Sequence, residues 1–262
     1  MEPGFRSPLI DFFRRGEVAQ DVRLMAAQGA FAPRAHEQLA LLILLSDDPD
    51  SLIATSANAT LDKLPVEQLQ AFLARSDVPG QMRDFFVSRG VTPGNLASPD
   101  ASEPLVDTAA DEAADTAPEA DDDDAAESQG LSGLSIIQRM KLAMKGTKAQ
   151  RARLIRDSNK LVAAAVLSSP KLTDSEVEAF AKMANVTEEV LRAIAMNRSW
   201  LKNYGVVSGL TRNPKTPPAI SMQLVQRLNE RDLKMLAMDR NVPEAVRLAA
   251  RKFLRKGPKD MS

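Results

Sequence analysis

The sequence predicts an all-α fold built from short helices. Apolar residues recur at spacings of three and four, which is the signature of amphipathic helices. No stretch alternates with a period of two for long enough to indicate a strand. Aromatic residues make up only 4% of the 262 residues, so the core must come from Leu, Ala, Val, Ile and Met, a mixture that favours helices over sheets. A hydrophobic content of 44% is sufficient to bury such a core.

The charge distribution divides the chain into two halves. Residues 1–130 contain 9 Lys and Arg against 24 Asp and Glu, whereas residues 131–262 contain 25 against 11. Residues 98–130 have no Lys or Arg and almost no large apolar residue, so they cannot bury enough surface to offset their conformational entropy. The composition predicts five segments: an N-terminal extension (1–17), a helical repeat domain (18–92), a disordered acidic linker (93–131), a basic helical repeat domain (132–256) and a tail (257–262).

Two interpretations of the acidic linker stay open. It is a solvated spacer, or it is an acidic strand that folds back over the basic half and competes with an anionic partner.

Proline and threonine punctuate the helices of the basic half. One or both precede each short helix, as Thr173, Thr187, Thr216-Pro217-Pro218 and Pro243. Threonine caps the free amides of a first turn, and proline fits that turn because its missing N–H has no partner there. Pro214 is expected to end one helix, since the residue before a proline is pushed out of the α region. Pro217 or Pro218 then begins the next.

The same design recurs in the first half. Residues 63–89 align without a gap to residues 227–253, pairing Leu64 with Leu228, Leu69 with Leu233, Phe72 with Leu236, Val78-Pro79 with Val242-Pro243, and Met82 with Val246. A further copy lies in KLVAAAVLSSPKLTDSEVEAFA. Short helical units that repeat every few tens of residues predict an α-solenoid, in which each unit buries its apolar stripe against its neighbours.

The segments LTRNPKTPPAISMQLVQRL, NVPEAVRLAARKFL and NVTEEVLRAIAMNR resemble the leucine-rich repeat variant family and, more loosely, HEAT-like repeats. The resemblance covers about residues 158–255 well and 36–90 faintly. It implies a right-handed superhelix of short α-helices, some of them paired with a 3₁₀ turn. It implies little about function, because such arrays are binding surfaces for unrelated partners.

Motifs for catalysis and for cofactors are missing from the sequence. Cysteine is absent and His36 is the only histidine, which leaves no transition-metal cluster and no Ser-His-Asp set. The phosphate-loop and dinucleotide patterns do not occur, and the four aspartates at 121–124 lack the glycine and glutamate of an EF-hand. We therefore expect a protein that is not an enzyme, with no cofactor, no metal and no small-molecule substrate. His36 is expected to be structural or to face solvent.

The strongest candidate binding residues are basic. Residues 138–156 contain seven cations and no acid, on two short helices broken at Gly146. With two aromatic residues four apart, they complete the candidate polyanion or partner-binding set: Arg139, Lys141, Lys145, Lys148, Arg151, Arg153, Arg156, Arg198, Trp200, Lys202 and Tyr204. Trp200 and Tyr204 stack on a base or on a partner side chain, or they pack between two helical units by sharing one helix face.

The sequence thus favours a non-enzymatic scaffold that presents one repeat surface to a protein partner. The alternative is nucleic-acid or other polyanion binding by the basic domain, modulated by the acidic linker. No apolar run approaches the length of a membrane span, and the first residues do not form a signal peptide, so we expect a cytoplasmic protein.

Overall fold

The structure, a computed structural model, describes residues 7–31, 34–94, 105 and 133–256. These residues form fifteen α-helices and one 3₁₀ helix, and none of them lies in a β-strand, which confirms the all-α prediction. The first six helices are α1 (Pro8–Arg14), α2 (Gln20–Ala27), α3 (Ala35–Leu45), α4 (Ser51–Asp62), α5 (Val66–Leu73) and α6 (Gly80–Ser88). The other nine are α7 (Ile136–Lys145), α8 (Lys148–Leu154), α9 (Lys160–Ser168), α10 (Asp174–Lys182), α11 (Glu188–Met196), α12 (Tyr204–Arg212), α13 (Pro218–Val225), α14 (Glu230–Met238) and α15 (Glu244–Lys256), with the 3₁₀ helix Trp200–Lys202 between α11 and α12.

The described helices group into two compact units. The first unit comprises the described residues up to 151 together with 164–171, and the second comprises 152–163 and the described residues from 172 onward. This grouping is one of packing, and the domain limits inferred from composition, 18–92 and 132–256, stay predictions. The acidic linker predicted at 93–131, with its two interpretations, lies outside the described residues except for 93–94 and 105.

Helix α3 is the centre of the first unit. Ten of its eleven residues are buried, and only Leu44 is partly exposed. It packs against α1, α2, α4 and α6, so it is covered on every side. Gln38 on this helix donates to Gly29 O at 3.2 Å, and its Oε1 accepts the N–H of the buried Leu105 at 2.7 Å.

In the second unit, alternate helices pack in succession. Helix α10 packs against α12, and α12 packs against α14. Helix α15 packs against both α13 and α14. The approach of α12 to α10 is close at Gly209, where an added Cβ would lie 3.2 Å from Ala181 Cβ. A larger residue at 209 would therefore push these two helices apart.

The proline positions limit the helices as the sequence predicts. Helix α12 ends at Arg212, and Asn213, before Pro214, has extended backbone. Helix α13 begins at Pro218 with Pro217 in the N-cap position, and α15 begins directly after Pro243. The break at Gly146 between α7 and α8 is also present. These limits are local properties of proline and glycine, so they could be read from the chain directly.

Asparagine and aspartate also end helices in the second unit, which the sequence reading missed. Asn197, Asn213 and Asp239 stand directly after α11, α12 and α14. The side-chain Oδ1 of each accepts the backbone N–H two residues later, at 3.0 Å in all three. This Asx turn redirects the chain after every one of these helices.

Threonine occupies the N-cap position of both α10 and α11, and its side chain caps only the first of them. Thr173 forms a capping box with Glu176 at the start of α10. Thr187 occupies the N-cap position of α11 but makes no capping hydrogen bond with its side chain.

This difference gives a matched pair of substitutions. We expect Thr173→Ala to lower the free energy of unfolding by about 1 kcal/mol, because the backbone N–H of Glu176 loses the Thr173 hydroxyl that accepts it. Thr187→Ala should change it by less than about 0.5 kcal/mol. Urea denaturation of the full chain measures both, and equal losses would show that the capping box contributes nothing of its own.

The aligned repeats have matching helix limits and matching burial. Helices α5 and α14 begin at 66 and 230, and α6 and α15 begin at 80 and 244, which is the offset of the alignment in both pairs. The five aligned Leu, Phe, Val and Met pairs named above are buried in both copies, from Leu64 and Leu228 to Met82 and Val246. An arginine binds the end of the preceding helix in both copies, although from positions that do not align, as Arg83 Nε to Leu73 O (2.9 Å) and Arg251 Nη2 to Ala237 O (3.2 Å).

Among the described residues, no helix combines the length and the apolar character that a membrane crossing requires.

Candidate functional site

The predicted binding residues are divided between the two units. Those on α7 and at the start of α8 belong to the first unit: Arg139, Lys141, Lys145, Lys148 and Arg151. The second unit contains Arg153, Arg156, Arg198, Trp200, Lys202 and Tyr204. Exposed side chains are found at Lys145, Lys148, Arg156, Arg198, Lys202 and Tyr204, and partly buried ones at Arg139, Lys141, Arg153 and Trp200. The basic run of the sequence therefore does not belong to a single unit.

Arg151 is not on an exposed face. Its relative exposure is 4%. Its guanidinium donates to Gly146 O at 2.7 Å and to Lys171 O at 3.2 Å. The expectation that Arg151 faces a partner is wrong, because the break at Gly146 turns its side chain onto these backbone carbonyls.

Trp200 and Tyr204 do not share a helix face. Trp200 begins the 3₁₀ helix and Tyr204 begins α12. Asn203 between them has extended backbone, and its side chain accepts the N–H of Gly205 at 2.8 Å. The same-face expectation is wrong because this Asx turn interrupts the helix between the two aromatic residues.

Tyr204 instead joins the beginnings of α12 and α14. Its hydroxyl donates to the Asp232 carboxylate and accepts the N–H of Asn229 at 3.2 Å. Arg212 Nη2 pairs with Asp232 Oδ1 at 2.6 Å. Burial, together with the hydrogen bond to Asp232, raises the pKa of Tyr204. These contacts favour the interpretation in which this tyrosine packs between helical units.

The second unit exposes several large apolar side chains. Met222 on α13 is 41% exposed and Leu248 on α15 is 52% exposed. Each occupies the fifth position of its helix, and the two helices pack together. Met235 and Met238 on α14 are exposed as well, and Met235 lines a shallow open depression along that helix.

Leu248 is followed on its own helix by three basic residues. Positions three, four and seven residues later are Arg251, Lys252 and Arg255, and all three are exposed. On an α-helix these spacings share one face. Val246 and Ala250, which point the other way, are fully buried. We call Leu248, Arg251, Lys252 and Arg255 the C-terminal face, and Met222 stands at the equivalent position of the neighbouring helix α13.

Three successive residues of α3, His36, Glu37 and Gln38, form a buried polar group in the first unit. The His36 ring packs edge-on against Phe72, with centroids 4.7 Å apart, and its Nε2 lies 3.8 Å from Asp77 Oδ2. Burial lowers the pKa of His36, with partial opposition from the Asp77 charge. In the part of the chain that the structure describes, no three His, Cys, Asp or Glu side chains are grouped so as to hold a metal ion.

Comparison of the chain with protein-family models, curated proteins and solved structures gives no match. The resemblance to leucine-rich repeat variant and HEAT-like repeats stays a prediction.

The candidate binding set predicted from the sequence contains none of the residues of the C-terminal face, and the exposure of Leu248 was not predicted. A signal was available, because Leu248 is about 200° around the helix from Val246 and so cannot share its buried side. The sequence alone does not show which side of α15 is covered by α13 and α14.

Proposed function

We propose that the protein is a non-enzymatic interaction scaffold that binds a protein partner through its C-terminal unit. The observation that supports this most directly is the pair Met222 and Leu248. Both are exposed at the same position of two helices that pack together. Large apolar side chains that a fold leaves exposed are available to a partner, and methionine adapts its shape to one.

The proposal includes a helical repeat array in the second unit. It is supported by the succession of contacts from α10 to α12 to α14. It is supported also by the Asx turns after α11, α12 and α14, which change the chain direction in the same manner each time. An array of this kind buries one side of each helix against its neighbours and leaves an extended surface for a partner.

Nucleic-acid or polyanion binding is the second candidate, and the cations of the C-terminal face favour it. The two functions differ in what high salt does to binding. Contacts with phosphates release counterions and weaken steeply as salt rises, whereas burial of Met222 and Leu248 does not.

The test is affinity capture with the full chain at low and high salt, followed by binding measurements with the purified partner. We expect the double variant Met222→Lys/Leu248→Lys to bind that partner at least about tenfold more weakly, because each lost apolar contact contributes about 1 kcal/mol or more. The expected partner is a protein that stays bound at high salt.

Leu52→Lys is the matched control. Leu52 is a leucine of the first unit with 60% exposure. We expect this variant to bind the partner as the wild type does. The proposal is overturned if the double variant binds equally well, or if capture at high salt yields nothing while generic DNA or RNA binds at low salt.

A further inference from the structure

We infer that the C-terminal face takes an acidic, amphipathic segment of a protein, with its apolar side chains over Leu248 and its carboxylates on Arg251, Lys252 and Arg255. This inference rests on the proposed function and specifies the chemistry of its partner.

The first argument is the layout of α15. Its exposed side has an apolar residue, Leu248, flanked within two helical turns by three cations. A partner helix that places apolar residues at spacings of three and four, with carboxylates on either side, matches that layout. Helices in apolar grooves are recognised in this way in many complexes.

The second argument comes from three other helices of the same unit, each of which pairs an exposed cation with an acid of its own. Lys182 pairs with Glu178 at 2.5 Å, Arg192 with Glu188 at 2.6 Å and Lys234 with Glu230 at 2.5 Å. In each case the acid stands four residues earlier on the same helix, which is the favourable order for such pairs.

Helix α15 lacks this arrangement. The residues four positions before Arg251, Lys252 and Arg255 are Arg247, Leu248 and Arg251. Among the described residues, no carboxylate forms an ion pair with Arg251, Lys252 or Arg255, and the only acid within α15 is Glu244 at its start. The positive charge of this face is therefore left for an external anion.

Arg251 is also partly positioned in advance. Its Nη2 donates to Ala237 O at 3.2 Å, which fixes the guanidinium against the end of α14. A cation that is already ordered loses less conformational entropy when it binds a carboxylate. Guanidinium groups suit carboxylates in particular, since they offer paired donors.

The apolar residues distinguish a protein segment from other anions. A phosphate backbone gains nothing from Leu248, and single-stranded bases stack on aromatic rings, whereas this face exposes a leucine. Helices that lie on anionic lipid bury a continuous apolar stripe of Trp, Phe or Leu, whereas Leu248 is the one large apolar side chain that α15 exposes among the described residues. An acidic protein segment with apolar side chains uses both kinds of residue on the face.

The test uses the full chain and a synthetic helical peptide of about 18 residues, with leucine at spacings of three and four and glutamate elsewhere. Polyglutamate of equal length, a DNA duplex and phosphatidylserine vesicles are the comparison probes. We expect the amphipathic peptide to bind most tightly. Leu248→Lys should weaken it about tenfold, which corresponds to one apolar contact, without weakening polyglutamate.

The triple variant Arg251→Glu/Lys252→Glu/Arg255→Glu should lose the amphipathic peptide. Lys182→Glu/Arg192→Glu/Lys234→Glu is the matched control. It changes the net charge of the second unit by the same amount as the α15 triple variant, but at three cations that already form ion pairs. We expect this control to bind within about twofold of the wild type. Circular dichroism checks that each variant is folded.

The inference is overturned if DNA, polyglutamate or the vesicles bind as tightly as the amphipathic peptide, or if Leu248→Lys has no effect on the peptide. It is also overturned if the control triple variant loses the peptide as fully as the α15 triple variant does. These failures are separate from failure of the proposed function, which is decided by the natural partner and the Met222→Lys/Leu248→Lys variant. If the Met222→Lys/Leu248→Lys variant loses the natural partner but the wild type does not bind the amphipathic peptide, the proposed scaffold function is supported. The inference that its partner is an acidic segment is then wrong.

Discussion

Asn213→Ala is expected to lower the free energy of unfolding of the second unit by about 2–4 kcal/mol. The Asn213 side chain is buried, with 3% exposure. Its Nδ2 donates to Ala181 O and to Met183 O, both at 2.9 Å. These carbonyls belong to the end of α10, where the helix itself supplies no donors. Alanine would remove this donor from both carbonyls, of which the one at Ala181 is buried.

Asn197→Ala is the matched control for this substitution. Asn197 makes the same Asx turn, through its Oδ1 and the N–H of Ser199, after α11. Unlike Asn213, it has no hydrogen bond from its amide group to another helix among the described residues. We expect Asn197→Ala to cost less than about 1 kcal/mol, so the difference between the variants isolates the two bonds to α10.

Hydrogen exchange with mass spectrometry locates the effect. Amides of α10 and α12 should exchange faster in Asn213→Ala, since the two helices are joined through this side chain. Equal losses in Asn213→Ala and Asn197→Ala would mean that the turn alone matters and that the contact between helices does not.

Local rules were sufficient for much of the fold. Proline at 214, 217 and 218 fixes its own backbone, so the end of α12 and the start of α13 follow from the sequence without knowledge of the rest of the chain. The gapless alignment of 63–89 with 227–253 likewise predicts much of the burial, because the five apolar pairs named in the sequence analysis face inward in both copies, although Met235 is exposed where its counterpart Ala71 is buried.

The failures have a common physical cause. The inward turn of Arg151 depends on carbonyls at Gly146 and Lys171, the second of them twenty residues away. The break between Trp200 and Tyr204 depends on whether the Asn203 side chain bonds to its own backbone. The bonds from Asn213 to α10 span about thirty residues. Spacing along the chain does not encode such side-chain choices.

The C-terminal face could be predicted from the sequence only in part, because the exposure of a side chain depends on how the helices pack. Arg251, Lys252 and Arg255 are conspicuous as cations in the sequence. Leu248 becomes informative only when α13 and α14 are seen to cover the opposite side of α15. A leucine in a helix is usually buried, so its exposure is a property of packing.

The second large effect is expected at Glu37 on α3. Its side chain is buried, with 3% exposure, and Oε2 has no hydrogen-bond partner among the described residues. Burial raises the pKa of Glu37 from 4.5 to about 6, and the Ser7 hydroxyl and the positive charge of Arg34 offset only part of this effect. A carboxylate in this position is costly when it is charged.

The sign of the pH dependence follows from this shift. The folded protein binds the Glu37 proton more tightly than the unfolded chain does. The contribution of this group to stability is therefore fully present below about pH 4.5 and is lost as pH rises through about 6. A shift of this size corresponds to about 2 kcal/mol.

Glu37→Gln removes the charge and nearly keeps the shape. We expect the variant to be up to about 2 kcal/mol more stable than the wild type at pH 7, and to lose that advantage by about pH 4.5. Urea denaturation across this range measures the difference at each pH. Glu67→Gln, at an exposed position of α5, is the control and should change stability at pH 7 by less than about 1 kcal/mol. A Glu37→Gln variant that is less stable than the wild type at pH 7 would show that the carboxylate has a partner that stabilises its charge, and that burial does not dominate at this site.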